Sequence, residues 1–289
     1  MFIPPLVAFA ISFFTSMGGV SGAFMLLPFQ VSVLGYTAPS VSATNQVFNI
    51  VAIPSGVWRY LKEKRMVWPL TWAVIIGTLP GVFIGAWLRI EYLPDPKSFR
   101  FFAGVVLLYI GIRLLLDIVR AWHAAGSSLK KPQPKQMEFA VTHTRFSMKN
   151  IEFRFADQDY RCSTPAIFLL CFIVGVAGGI YGIGGGAIVA PFFVSIFKLP
   201  VYTIAGAALM GTFVTSVAGV TFYQLLSVYY PAQSIAPDWY LGVLFGLGGF
   251  LGMYLGARCQ KFVPAHIIKM ILCICVLFVS GKYIINFFF

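Results

Sequence analysis

The sequence predicts an all-α integral membrane protein of two homologous repeats, inverted relative to each other, with a small β-hairpin between them. Three observations lead there. Of 289 residues, 59% are hydrophobic and only 10% are charged, and the mean hydropathy is +0.85. Soluble domains average about 25% charged residues, so the solvent for this chain is lipid. Apolar runs long enough to cross a bilayer recur along the chain. Two longer apolar regions each break at a glycine cluster, and landmarks around one recur in order around the other.

The first repeat, 1–120, opens on the broken region 2–36. As one helix it would run roughly 50 Å, too long for a single crossing of a ~30 Å core. Gly18, Gly19 and Gly22 interrupt it, so two shorter helices joined at a turn are expected. Met1 to Ser16 has no basic start and reads as part of the mature fold rather than a cleaved signal. Simple spans follow near 40–58, 67–88 and 100–119. The segment 121–163 is a cytoplasmic connector. Gly126, Lys130, Lys131, Pro132 and Pro134 mark a polar linker, and 137–156 then alternates apolar with polar side chains. That alternation predicts a β-hairpin, lying as a passive lid over the helix ends. The second repeat, 164–289, opens on the broken region 164–199, interrupted at Gly178, Gly179, Gly182 and Gly184 to Gly186. Spans near 200–226, 239–257 and 265–288 complete it.

The repeats align. Gly19 to Ala23, followed by Pro28-Phe29, lies over Gly182 to Gly186, followed by Pro191-Phe192, 163 residues on. Gly81 and Gly85 lie over Gly248 and Gly252, Leu93-Pro94 over Val263-Pro264, and Gly111 over Gly281. Several matches in one order point to duplication. Charge then orients the units. Arg59, Lys62, Lys64 and Arg65 outweigh Glu63, and the connector carries Lys130, Lys131, Lys135, Arg145, Lys149, Arg154 and Arg161, so both segments are expected in the cytoplasm. The loop 227–238 has no Lys or Arg, whereas 258–269 has Arg258, Lys261 and Lys269. All these loops obey the positive-inside rule only if each broken region enters and returns as a hairpin. Each unit then crosses an odd number of times, the units are inverted, and both termini lie outside.

The net charge of +12 is spread between apolar runs rather than gathered in a stripe, so it orients the chain and does not imply nucleic acid. Cys162, Cys171, Cys259, Cys273 and Cys275 form no CxxC pair, and no metal site or cofactor is expected. His123, His143 and His266 belong to no catalytic motif, and no HExxH, GxSxG or P-loop lysine occurs, so an enzyme is not expected. The glycine breaks carry the chemistry. A helix starting inside the membrane leaves its first N–H groups without helical partners and turns a partial positive charge toward the break. Small residues let an anion approach that backbone. Candidate substrate contacts are therefore Gly18, Gly19 and Gly22 at the first break and Gly182, Gly184, Gly185 and Gly186 at the second. Ser16, Ser21 and Tyr181 stand beside them. Ser42, Asn45, Gln46 and Asn49 share one helical face, and Thr212, Thr215 and Ser216 another, and both sets are candidates to line a polar cavity. The alternative for the glycines is tight helix crossing, and for the polar faces a hydrogen-bonded seam.

These features resemble the TauE/SafE sulfite exporter family, also called the toluene sulfonate uptake permease family. The resemblance rests on two repeats with a Gly-rich break followed by a proline, above all Gly182 to Ala187 with Pro191, and on the Gly81/Gly85 pair. It covers nearly the whole chain except the connector. The first copy departs from it, with Ser21 and Ala23 where the second has Gly184 and Gly186. The resemblance implies movement of sulfite, sulfonates or related oxyanions. The expectation is export of a small sulfur oxyanion across a bacterial or archaeal inner membrane. The membrane potential would assist by about 2.3 kcal/mol per charge per 100 mV. Two other readings stay open: a carrier for another organic anion such as a carboxylate, and a membrane-anchored signalling protein acting through the connector. The expected partners are a small anionic substrate and membrane lipid, and the sequence leaves homo-oligomerisation open.

Overall fold

The computed structural model describes residues 3–36, 38–93, 95–125, 140–155, 158–186, 188–231, 233–263 and 265–288. The order begins with α1 (Ile3–Met17), α2 (Ala23–Ser32), α3 (Ser40–Lys62), α4 (Trp68–Glu91) and α5 (Pro96–Ala125). Then come β1 (Val141–Phe146), β2 (Asn150–Phe155) and β3 (Gln158–Ser163). They are followed by α6 (Thr164–Tyr181), α7 (Val189–Ser195), α8 (Val201–Tyr229) and α9 (Trp239–Cys259). A short 3-10 turn, Gln260–Phe262, leads into α10 (Ala265–Phe288).

Local chemistry sets the helix ends. Pro69 and Pro165 sit in the first turns of α4 and α6, where no amide donor is needed. Asp238 caps α9, its carboxylate accepting the Leu241 amide at 2.9 Å. The two breaks use the same device. Gly19 (φ +71°) and Gly182 (φ +78°) take the left-handed conformation just past α1 and α6. Beside them the Val20 amide donates to Thr15 O and the Ile183 amide to Gly178 O, both at 3.1 Å. The chain then doubles back, so that Gly22 lies against Ser12 and Gly178 against Gly184.

Among the described residues five helical stretches are long and apolar enough to cross a membrane: Trp68–Glu91, Lys97–Leu116, Thr164–Tyr181, Val201–Tyr229 and Trp239–Cys259. Two expectations change here. The 18 residues of α6 make a full-length apolar stretch rather than half of an evenly split region. The 23 residues of α3 are long enough but fall outside the five, because Ser42, Asn45, Gln46 and Asn49 lower the hydropathy. Outward-facing Trp72, Ile76, Trp87, Leu169, Leu225 and Leu247 are exposed, an arrangement suited to lipid.

Glycines bring the helix backbones into contact. Gly77, Gly81 and Gly85 of α4 press against Phe168, Phe172 and Val176 of α6. Gly248, Gly252 and Gly256 of α9 press against Pro5, Phe9 and Phe13 of α1. Small residues at such crossings let two helices pack without intervening side chains. Helices α3 and α8 pass each other antiparallel, with Gly56 against Leu209, Gly206 against Tyr60 and Gly219 against Gln46. An outer pair is made by α5 and α10, where Ser280 Oγ donates to Gly104 O at 2.8 Å and Phe101 stacks on Phe287.

The molecule therefore has two ends. One carries Arg65, Gln260 and the sheet, tied on by Val141 N to Lys64 O at 3.0 Å. The other carries Glu91, held by Tyr230 Oη at 3.0 Å, and Ser40, whose amide donates to Ser234 O at 2.9 Å. The connector holds a three-stranded antiparallel sheet, β1-β2-β3, not the two-stranded hairpin expected. Reading the alternation only to 156 missed β3, whose Cys162 joins Ile151, Phe153 and Phe155 in a buried face. A third strand lets so small a sheet bury one side, where an isolated hairpin is marginal. The linker residues 126–139 lie outside the described residues. Arg113 Nε donates to Tyr109 Oη at 3.2 Å.

Candidate functional site

The central pair α3 and α8 carries most of the expected polar residues, all buried. Asn49 is the hub. Its Nδ2 donates to Ile183 O at 2.9 Å and to Ser216 Oγ at 3.0 Å, and its Oδ1 accepts from Ser21 Oγ. One side chain thus joins both breaks to both central helices. One turn along, Asn45 Nδ2 donates to Ala23 O at 2.9 Å and reaches Gly182 O at 3.5 Å, while its Oδ1 accepts from Gln30 Nε2 at 3.3 Å. Ser21 Oγ also accepts the amide of Ala23, the first residue of α2, at 3.2 Å.

The second break is wrapped by α8 and α4. The Gly185 amide donates to Thr215 Oγ1 at 3.0 Å. Gly184 sits against Ser216 and Thr212, Gly186 against Ala208 and Thr212, and Gly185 against Thr78. The hydroxyls of Thr212 and Thr215 also donate back to Ala208 O and Gly211 O, each at 2.8 Å. Tyr181 Oη donates to Phe24 O at 3.3 Å, a further link between the two broken segments.

The sequence-named residues divide by position. Ser21, Asn45, Gln46, Asn49, Tyr181, Gly182, Gly184, Gly185, Gly186, Thr212, Thr215 and Ser216 gather around the meeting of the breaks. Gly22 is next to them, against Phe48. Ser16, Gly18 and Gly19 sit nearer the sheet end. Ser16 O accepts from Tyr60 Oη at 3.0 Å, Gly18 N donates to Thr15 O at 3.0 Å, and Gly19 presses on Ala205. Gln30 and Thr78 complete the cluster and were not singled out from sequence. Gln30 had a visible signal, a lone amide in an apolar helix, whereas Thr78 needed the α4–α6 packing to bring it to Gly185.

Most of these groups are satisfied by protein partners. Gln46 is not: among the described residues neither of its buried amide atoms finds a hydrogen bond, in the groove left by Gly219. An amide presents two donors and an acceptor, and leaving them unmade inside a protein costs about 1–3 kcal/mol. Among the described residues no group of three or more His, Cys, Asp or Glu side chains is set to hold a metal.

Comparison with known proteins adds a family. A family model described as "Sulfite exporter TauE/SafE" matches residues 5–283. The chain is 22% identical over 281 residues to "Probable membrane transporter protein YunE" of Bacillus subtilis (strain 168), covering 93% of this chain and 92% of that protein. It is 26% identical over 256 residues to a "Probable membrane transporter protein" of Xylella fastidiosa (strain 9a5c), covering 87% of this chain and 80% of that one. No solved structure matches. The match runs through both breaks and both central helices, so this multi-pass membrane chain belongs to the TauE/SafE sulfite exporter family of membrane transporters.

Proposed function

We propose that the chain exports a small sulfur oxyanion, sulfite or an organosulfonate, across a bacterial or archaeal inner membrane. The proposed binding site lies where the two breaks meet between α3 and α8. The observation that carries this reading is the convergence on Asn49, whose side chain bonds Ser21, Ile183 and Ser216 together. Beside it, buried Gln46 has its amide uncommitted. The site takes an anion through backbone and neutral donors, with no fixed cation at its centre to hold the anion too tightly for turnover.

We propose further that 1–120 and 164–289 are inverted copies flanking the connector. Support comes from contacts that repeat in mirror order. The α4–α6 glycine contacts recur as α9–α1 contacts, with Phe168, Phe172 and Val176 each 163 residues beyond Pro5, Phe9 and Phe13. This favours Gly81 and Gly85 matching Gly252 and Gly256, one helical turn on from the alignment read in the sequence. The match is 171 residues, the spacing of Trp68 and Trp239, which start α4 and α9.

The test is flux in proteoliposomes with sulfite, ethanesulfonate, sulfate and acetate, for the wild type and Gln46→Leu. Removing an uncommitted buried amide leaves the melting temperature unchanged or raised. The expected result is sulfite or sulfonate flux in the wild type and at least a tenfold loss in the variant. Undiminished flux in Gln46→Leu would overturn the site, and preference for acetate would overturn the substrate class.

A further inference from the structure

Arg89 is the most unusual side chain in the molecule. It lies in the last turn of α4, at the end away from the sheet, and is 0% exposed. Its Nη1 donates to Leu93 O, and its guanidinium lies over the Phe99 ring, 3.9 Å from the centroid. Its Nε and Nη2 have no hydrogen-bond partner among the described residues. Those two groups form the side of the guanidinium that pairs with two oxygens of an oxyanion. No carboxylate forms an ion pair with Arg89 among the described residues. Glu91 takes its hydrogen bond from Tyr230, and Asp95 accepts the Ser98 amide.

Two more uncommitted donors stand close by. The hydroxyls of Tyr223 and Ser42 are both 0% exposed, and among the described residues neither makes a hydrogen bond of good geometry beyond their approach to each other. Tyr223 packs with Ala86 and Ile90, the residues on either side of Arg89 on α4; its hydroxyl faces Ser42 Oγ at the outer limit of hydrogen bonding, and the Arg89 charge acts on it. Ser42 lies against Gly182, at the tip of the second break. From Ser42, the uncommitted amide of Gln46 is one turn further along α3, and Asn49 lies just beyond.

The other end of the molecule provides an internal comparison. Tyr60 and Tyr223 are 163 residues apart, as are Gly19 and Gly182, and Arg89 and Gln260 are 171 apart, as are Trp68 and Trp239. At the sheet end these positions are closed by hydrogen bonds. Tyr60 Oη donates to Ser16 O at 3.0 Å, Gln260 Nε2 donates to Met17 O at 2.6 Å, and Gln260 Oε1 accepts from Arg65 Nη1 at 2.7 Å. At the far end the corresponding tyrosine and arginine keep donors unspent. Arg89 leaves both Nε and Nη2 unspent where Arg65 leaves only Nε, and a buried cation this short of partners is costly.

We propose that Arg89, Tyr223 and Ser42 form a second oxyanion station, at the extracytoplasmic end, through which a small carboxylate-like or sulfur oxyanion passes between the outside and the Asn49–Gln46 site. This rests on the anion-carrier reading above. The station is closed to solvent in this structure, so it fills when the outer ends of α3, α4 and α8 part. It also explains why a central site without a fixed cation still selects for anions: the charge stands at the outer door.

The experiment measures uptake of sulfite, ethanesulfonate, sulfate and acetate into right-side-out and inverted membrane vesicles from an expression host. The first presents the outer face and the second the cytoplasmic face. For whichever of these anions the wild type carries, Arg89→Gln is expected to raise the half-saturating concentration at the outer face about tenfold or more. At the cytoplasmic face the change is expected to stay under about threefold. Tyr223→Phe and Ser42→Ala bury no charge, and their double variant is expected to shift the outer face alone, by about threefold. The double variant decides the matter where Arg89→Gln fails to fold. No shift at the outer face, or equal shifts at both faces, overturns the station while leaving the central site standing. A wild type that carries none of the four anions removes the carrier reading itself, and the station with it. Gln46→Leu marks the central site separately, since its loss appears at both faces.

Discussion

At the residue scale, Gly182 and Gly281 make a controlled pair. Gly182 has φ +78° and a Cβ there would overlap Ser42, whereas a Cβ on Gly281 would meet nothing within 4 Å. Gly182→Ala is expected to lose about 1–3 kcal/mol, read as a lower melting temperature in detergent. Gly281→Ala is expected to melt with the wild type. Arg65 makes a second case. It is 1% exposed, pairs with Glu63 and donates to Gln260. Arg65→Ala is expected to cost about 3–5 kcal/mol by leaving buried partners unmatched, measured in the same melt. Gln46 and Arg89 behave differently, because the Gln46 amide and the Nε and Nη2 of Arg89 face no hydrogen-bond partner among the described residues, and their loss should register in transport before stability.

At the element scale, the glycine ladders decide which helices touch. Gly85 leaves no room between α4 and Val176 of α6, while Ile84 beside it is exposed. Gly85→Leu is expected to lose at least about 1–3 kcal/mol through overpacking, read as a loss of monodisperse protein on size-exclusion chromatography. Ile84→Leu is expected to elute as the wild type does. These elements differed in how readable they were. Helices α4, α8 and α9 announced themselves by length and apolarity. The polar face of α3 was legible from the spacing of Ser42, Asn45, Gln46 and Asn49, although the same polarity hid α3 from a hydropathy criterion. Strand β3 was missed because Gln158–Ser163 carries few apolar residues, and its pairing with β2 rather than its own pattern makes it a strand.

At the scale of the whole molecule, the two proposed units are not separate bodies. Helix α1 packs on α9, α6 on α4, and α3 on α8, so each unit completes the other's helix contacts. The direction of each helix gives a topology test. The sheet end gathers Arg59, Lys62, Lys64, Arg65, Arg145, Lys149, Arg154 and Arg161, and the C-terminal end of α10 lies at the opposite end, where Phe287 stacks on Phe101. A C-terminal alkaline phosphatase fusion is therefore expected to be active, and a C-terminal green fluorescent protein dark. The reverse pattern would put the sheet outside the cell and overturn the inner-membrane orientation.

Sequence alone determined the solvent, the number and approximate place of the apolar segments, the two breaks and the polar faces, since composition and spacing are properties of the chain itself. Tertiary structure decided which breaks and faces meet. It brought Ile183 and Ser216, each more than 130 residues away in the chain, to Asn49 beside Ser21, moved Ser16 and Gly18 toward the sheet end, and carried Thr78 to Gly185. It also turned Arg89, which in the sequence looks like an ordinary loop-edge charge, into a buried cation with an open hydrogen-bonding edge. Burial and partnership depend on what other segments place nearby, and a linear pattern does not carry that information.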